Sequence, residues 1–372
     1  IITLINKEIV KGGFLFALKE GVFIENKQLR LLYRKPATSF NEKAVQQYKA
    51  NRLSVIEEVV YEEGGRIDLV IFINGLALFA IELKFNPSGQ SVQDAIKQLK
   101  GRNPNNRLFR FEQGVLASFA VDTMEIYMTT QLKGQETYFL PFNMGKGEGI
   151  DMGSGNPHNP NGVDTEYLWL DVLTKDSILQ LIESFIFFEI DKNDHKKRTL
   201  IFPRYHQRRA VSRLLEDMKV NHTDSNYLIQ HSAGSGKTNT IAWLAHSLVS
   251  LHDDQNRNIV DTVLIVTDRI VVDRQLQDAV RQINHKNGVV KVMGDRETSS
   301  DLADAIAGNT KIIATTIHKF AQINQSNWMS VGNTAKKKFA ILIDEAHSST
   351  TGSYMSSVSQ VLTETDTEDG TI

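Results

Sequence analysis

The sequence predicts an α/β protein in two parts, and three observations carry the prediction. Up to residue 190, a β-hairpin, an amphipathic helix and further short strands describe a mixed α/β domain. From residue 205 onward, apolar strands alternate with helical segments, the rhythm of a parallel sheet covered by helices. Within that second part the stretch YLIQHSAGSGKTNT, Tyr227 to Thr240, reads as an apolar strand, a glycine-rich turn and a helix. At 372 residues the chain can hold two or three domains, each burying a core.

Composition narrows the function classes. The absence of cysteine excludes disulfides and thiolate metal sites and fits a reducing cytoplasm. Apolar stretches are interrupted by Asn74-Gly75, Glu82 or Glu183, so no membrane span is expected. The chain opens on Ile1 without a signal peptide, which predicts a natural N-terminus further upstream. A net charge of −2 argues against indiscriminate polyanion binding, so any nucleic-acid contact must come from local patches. No internal repeat is visible.

After a polar helical segment, Asn41 to Asn51, two apolar runs flank Asn74-Gly75 and predict a hairpin, Ile67–Ile73 with Leu76–Leu83. Asp68 interrupts one strand, and Glu82 and Lys84 the end of the other. Glu82 and Lys84 share a face because they are two apart. Asp68 joins them only if the turn is irregular. A plain two-residue Asn-Gly loop pairs Asp68 with Ile81, on the wrong face, whereas a three-residue loop or an equivalent bulge brings it to the Glu82 face. The irregular register is the expectation. Two carboxylates so placed could hold Mg2+ while leaving positions for phosphate oxygens and water, and a neighbouring lysine could stabilise a pentavalent phosphate. An ordinary hairpin with charged strand ends is the competing reading.

Ser91 and Asp94 predict a capped helix with Val92, Ala95, Ile96 and Leu99 as its buried stripe. Gln98 lies off that stripe, either solvated or near the site. Lys97, Lys100, Arg102, Arg107 and Arg110 make the region locally basic, suited to a DNA backbone or simply to a soluble surface. Two strands joined at Asp122-Thr123 follow, then another at TYFLPFN. The Gly/Asn/Pro-rich stretch Asn143–Asp164 is a long loop, and its His158 has no partner at ligand spacing. Leu168 to Glu189 has helical apolar spacing. These features place the first domain at 1–190, a linker at 191–204 around the charge run Asp191–Arg198, and the second domain at 205–372.

In the second domain Gly234 and Gly236 let successive backbone N–H groups point at a polyphosphate, with Ser235 between them. Lys237 would reach the terminal phosphates, and the Thr238 hydroxyl would hold Mg2+. His231 stands where the strict pattern has glycine. Upstream, Tyr205 and Gln207 precede a helix, and the Gln207 amide could donate and accept at an adenine edge. The strand FAILI delivers Asp344-Glu345-Ala346-His347 at its carboxyl end. Asp344 would hold Mg2+, Glu345 would polarise the attacking water, and His347 would link nucleotide state to a partner lobe or DNA. Thr267-Asp268-Arg269 and Thr315-Thr316-Ile317-His318 are candidates for gripping a phosphodiester backbone, or plain helix caps.

Asp68 followed by Glu82-x-Lys84 resembles the PD-(D/E)xK nuclease core, with Ile67 in place of the proline. Gln98 lies near that family's Q-x-x-x-Y element, with Arg102 in the tyrosine position. Tyr205 and Gln207 look like the Q-motif of superfamily 2 helicases. Taken in order, RIDLVIFING…IELK, FAVDTMEIYMTT, GNPHNPNG…YLWLDVL, PRYHQRRAV, HSAGSGKT and DEAH resemble the restriction (motor) subunit of type I restriction–modification enzymes. The resemblance implies a PD-(D/E)xK-type nuclease domain followed by a first RecA-like ATPase lobe, in a cytoplasmic bacterial or archaeal protein. By resemblance Asp68, Glu82 and Lys84 are nuclease residues, and Lys237, Thr238, Asp344 and Glu345 are ATPase residues, with ATP and Mg2+ as cofactors. Double-stranded DNA and the methyltransferase and specificity subunits would be the partners. The sequence ends before the later helicase motifs, so these residues alone are expected to bind ATP weakly and to hydrolyse it slowly. A repair or remodelling helicase whose first domain only binds DNA, and a non-catalytic ATP-gated assembly module, are the alternatives.

Overall fold

The computed structural model describes residues 1–36, 39–147, 154–191, 194, 197–222, 226–232, 234–267, 274–283, 289–294, 296–322 and 337–345. The chain divides into two compact units, Ile1–His206 and Gln207–Ile372.

In the first unit α1 (Ile2–Gly12) and α2 (Phe14–Glu20) lead into a small hairpin of β1 (Val22–Ile24) and β2 (Lys27–Leu29). The predicted polar helix is α3 (Glu42–Ala50), whose Asn41 cap accepts a hydrogen bond from the Ala44 N–H. Among the described residues the main sheet has six strands in chain order. They are β3 (Leu53–Glu62), β4 (Gly65–Ile73), β5 (Leu76–Leu83), β6 (Ala117–Val121), β7 (Ile126–Thr129) and β8 (Leu140–Pro141). The pair β5/β6 is parallel because α4 (Val92–Lys100) crosses between them, and the other pairs are antiparallel. The Ser91–Asp94 capping box forms as expected. Val92, Ala95 and Leu99 of α4 pack on Val70, Ala80 and Ala120 of the sheet. On the sheet's other face Phe79 and Phe119 meet Phe202 edge to face, and Phe142 joins Phe119 and Phe202.

The described part of the long loop is tied down by its own amides. Buried Asn156 accepts from the Met144 N–H and donates to the Met124 carbonyl. His158 is exposed and lies 3.3 Å from Asp164, in keeping with a surface role. Residues 148–153 fall outside the described set. Beyond the loop the helical segment consists of a wide π-type turn at Leu168–Val172, α5 (Lys175–Gln180) and a second wide turn at Leu181–Phe185. It ends there, and β9 (Phe187–Ile190) pairs antiparallel with β10 (Arg198–Ile201). The charge run expected as a linker therefore closes a hairpin. Among its described residues Asp194, Lys197 and Arg198 are exposed, while Leu200 and Phe202 just beyond it are buried in the first unit.

The second unit is entered through α6 (Tyr205–Asn221) and continues with α7 (Lys237–Leu248), β11 (Thr262–Thr267), α8 (Arg274–Ile283), β12 (Val290–Val292), α9 (Ser299–Ala307), β13 (Ile312–Thr316), α10 (Ile317–Ala321) and β14 (Phe339–Ile343). Among the described residues its four strands are parallel, in the order β12-β13-β11-β14, as the alternating pattern predicted. Leu264, Val266 and Ile313 face Leu302, Ala303 and Ile306 of α9 in the core. One expectation fails. Residues 226–232, read as the strand before the glycine turn, have no strand pairing, and Leu228 is 86% exposed. Apolar residues alone do not make a strand. Its backbone groups need a neighbouring edge, and no strand among the described residues pairs with this segment.

Candidate active sites

The geometry of the first site is decided by the β4–β5 register. Asn74 and Gly75 both have positive φ, 51° and 82°, which makes a two-residue primed turn that pairs Ile73 with Leu76. The three-residue loop is not formed. Phe72 pairs with Ala77 but Ile71 pairs with Phe79, so Leu78 is an extra residue in β5. Beyond this bulge Leu69 faces Ile81, and the same register sets Asp68 against Glu82. The bulge thus does what the alternative loop would have done. Asp68 Oδ2 accepts the Leu83 N–H at 2.7 Å, which fixes its carboxylate at the strand end.

Glu82 has no exposed surface. Lys84 Nζ lies 3.3 Å from its Oε1, and Arg102 Nη2 donates to its Oε2 at 2.9 Å. Arg102 Nη1 donates to the Tyr61 hydroxyl at 3.0 Å, and the guanidinium stands 5.5 Å from the centre of that ring. Burial pushes the Glu82 carboxyl above its ordinary range, the Arg102 hydrogen bond opposes this, and the Asp68 charge adds to the upward push. Two hard carboxylate donors on one face fit a divalent cation such as Mg2+. Both Glu82 oxygens are already bonded to cations, however, and among the described residues no cluster of three or more His, Cys, Asp or Glu residues is placed to hold a metal.

Gln98 is exposed and lines a groove of about 580 Å³ together with Tyr61, Asp94, Lys97, Gly101 and Arg102. In the sequence Arg102 stands in the tyrosine position of the Q-x-x-x-Y element and within a locally basic run. The structure shows it gripping Glu82 and bonded to a tyrosine from another strand. The basic run on α4 hinted at Arg102. Nothing in the sequence pointed to Tyr61, whose place depends on β3 pairing.

At the second site Gly234 and Gly236 have φ of 73° and 85°, and α7 starts at Lys237. Ser235 is buried between the two glycines, and Thr238 is half-buried one residue into the helix. Asp344 and Glu345 follow directly on β14, with the Asp344 N–H bonded to the Val266 carbonyl. Lys237 Nζ lies 2.5 Å from Glu345 Oε1, so the two ends of the expected ATPase constellation meet. Gln207 lies beside the glycine turn. It is buried, and its amide donates to the Gly236 carbonyl at 2.9 Å. In this arrangement it braces the glycine turn, and an adenine edge would have to compete for that donor. Thr267, Thr315 and Thr316 are buried at the ends of β11 and β13, so they present no surface to a duplex, whereas His318 is exposed. Asp268, Arg269, Ala346 and His347 lie outside the described residues.

Two family models match the chain. "Type I restriction enzyme R protein N terminus" covers residues 16–137, and "SWI2/SNF2 ATPase" covers residues 206–367. Together with the relatives below, they support the N-terminal region of a type I restriction subunit. A Methanocaldococcus jannaschii protein named for the type I restriction enzyme MjaVIIIP endonuclease subunit is 28% identical over 79% of this chain and 28% of its own length. A type I restriction enzyme endonuclease subunit of Staphylococcus aureus strain COL is 26% identical over 81% of this chain and 30% of its own length. The chain thus spans under a third of these relatives. The α/β order observed here fits a nuclease-type domain first and a motor lobe second, as the sequence predicted. No helix among the described residues is long and apolar enough to cross a membrane.

Proposed function

We propose that the chain is part of a type I restriction R protein that cleaves double-stranded DNA at Asp68, Glu82 and Lys84 and drives translocation of that DNA with ATP bound at Lys237, Thr238, Asp344 and Glu345. The observation that carries the nuclease half is the bulge at Leu78, which sets Asp68 against Glu82 with Lys84 beside them. It favours this reading over a helicase whose first domain only binds DNA. Asp68 and Glu82 would hold Mg2+, which on binding supplies a Lewis acid and an acidified water. Lys84 puts positive charge where an attacked phosphodiester becomes more negative. In the second unit, Gly234, Ser235 and Gly236 offer backbone N–H groups to the phosphates at the start of α7, where the helix dipole adds to them. Lys237 exchanges Glu345 for the terminal phosphate, and the freed carboxylate orients the attacking water. Thr238 and Asp344 would share the second Mg2+. Methyltransferase and specificity subunits supply site recognition, and the protein is cytoplasmic.

The test is the full-length subunit reconstituted with its methyltransferase and specificity partners on plasmid DNA. Asp68→Asn should abolish cleavage and leave DNA-stimulated ATPase intact, while Lys237→Ala should abolish both ATPase and ATP-dependent cleavage. Loss of ATPase in Asp68→Asn with an unchanged melting temperature would contradict the division of labour.

A further inference from the structure

Arg102 occupies a place that the nuclease reading leaves unexplained. Its guanidinium bonds the same Glu82 that would hold a metal ion, on the oxygen Lys84 does not take. The cluster is already neutral. Asp68 and Glu82 are balanced by Lys84 and Arg102, and a divalent cation added to all four would leave two uncompensated positive charges in a poorly solvated site. A phosphodiester brings the negative charge that would restore the balance. Arg102 is also built to leave. Its buried Nε makes no hydrogen bond, so its present position leaves one donor unsatisfied, and its side chain lines the groove beside α4. A guanidinium that turns into that groove can take two phosphate oxygens in the fork geometry that arginine favours.

Resting on the nuclease reading above, we infer that Arg102 is a positioning residue that competes with the divalent cation for Glu82 and releases it to the metal when a DNA phosphate arrives. Metal loading and DNA binding are then one coupled event, and the empty protein is guarded against metal-dependent cutting. The Tyr61 hydroxyl steadies the arginine in its guarding position.

The experiment is Mn2+ titration of the full-length subunit, followed by electron paramagnetic resonance, with and without duplex DNA. Glu82→Gln identifies the signal from this site by losing it. The wild type should bind Mn2+ weakly alone and about tenfold more tightly with DNA, within the usual range of coupling between sites. Arg102→Gln should bind Mn2+ about tenfold more tightly without DNA and lose most of the further gain on adding DNA. A merely structural arginine would not raise metal affinity when removed. Arg102→Lys, which keeps the charge, should recover part of the coupling. Equal Mn2+ affinities for wild type and Arg102→Gln in both conditions would overturn the inference. Where Arg102→Gln fails to fold, Tyr61→Phe replaces it, with a smaller shift in the same direction expected and no shift overturning the inference. If no protein shows Mn2+ binding that Glu82→Gln removes, even with DNA, the metal-nuclease reading itself falls. That result is distinct from equal binding.

Discussion

Glu82 holds its charge away from water between Lys84 and Arg102, and the balance between burial and those two cations sets its chemistry. Burial dominates, so its pKa lies above the ordinary 4.5. A raised carboxyl pKa means that the folded state takes up the proton more readily than the unfolded chain. The stabilising contribution is therefore fully present below the unfolded value and is lost as pH rises through the folded one. Wild-type melting temperature, followed from about pH 4 to about pH 7, should show this loss, and Glu82→Gln should flatten it. An unchanged slope in the variant would place the titrating group elsewhere. At this scale the sequence revealed the identities of Asp68, Glu82 and Lys84 but not their partners. Arg102 reaches Glu82 from 20 residues away and Tyr61 from 41, and no local spacing encodes that meeting.

Two short elements carry most of the positional information. The Asn74-Gly75 turn was legible because both residues accept left-handed backbone, and the structure places both there. The bulge at Leu78 was not, since Leu78 sits inside an unbroken apolar run and only the pairing of β4 with β5 reveals it. The glycine turn before α7 is the second element. A Cβ on Gly236 would lie 2.4 Å from Gln207 Nε2, and its φ of 85° disfavours any L side chain. Gly236→Ala should therefore strain the turn by about 1–3 kcal/mol. ATP affinity should fall by about tenfold or more, since about 1.4 kcal/mol is a factor of ten. Fluorescent-nucleotide titration measures this. Adding Gln207→Ala should recover only the part due to the clash, and full recovery would show that the φ angle costs nothing.

Each of the two units holds its own candidate site, so on the proposed reading cutting and ATP hydrolysis would rest on separate sets of residues. On the proposed reading, an arginine from outside these residues would complete γ-phosphate chemistry, as arginine fingers do in related NTPases at about 10³-fold or more in rate. A polypeptide of these 372 residues alone should therefore bind ATP and release phosphate slowly, with little stimulation by duplex DNA. Phosphate release assayed with and without DNA checks this, and robust stimulation would show that the first lobe suffices. The boundary between the units was only partly visible in the sequence. Charge density marked a break at Asp191–Arg198, but the hairpin that the run closes depends on β9 meeting β10.

Local chemistry, written residue by residue, determined the class of each part: which strands are apolar, where helices are capped, and which acids, lysines and glycines stand at spacings suited to phosphate chemistry. Register and convergence were settled only in three dimensions. Tertiary contacts chose a bulge over a longer loop, kept residues 226–232 out of the described strands, turned Gln207 onto the glycine turn and brought Arg102 to Glu82. The physical reason is common to all four. Each depends on which distant backbone or side chain satisfies a polar group, and that competition is decided by packing rather than by the residue's neighbours along the chain.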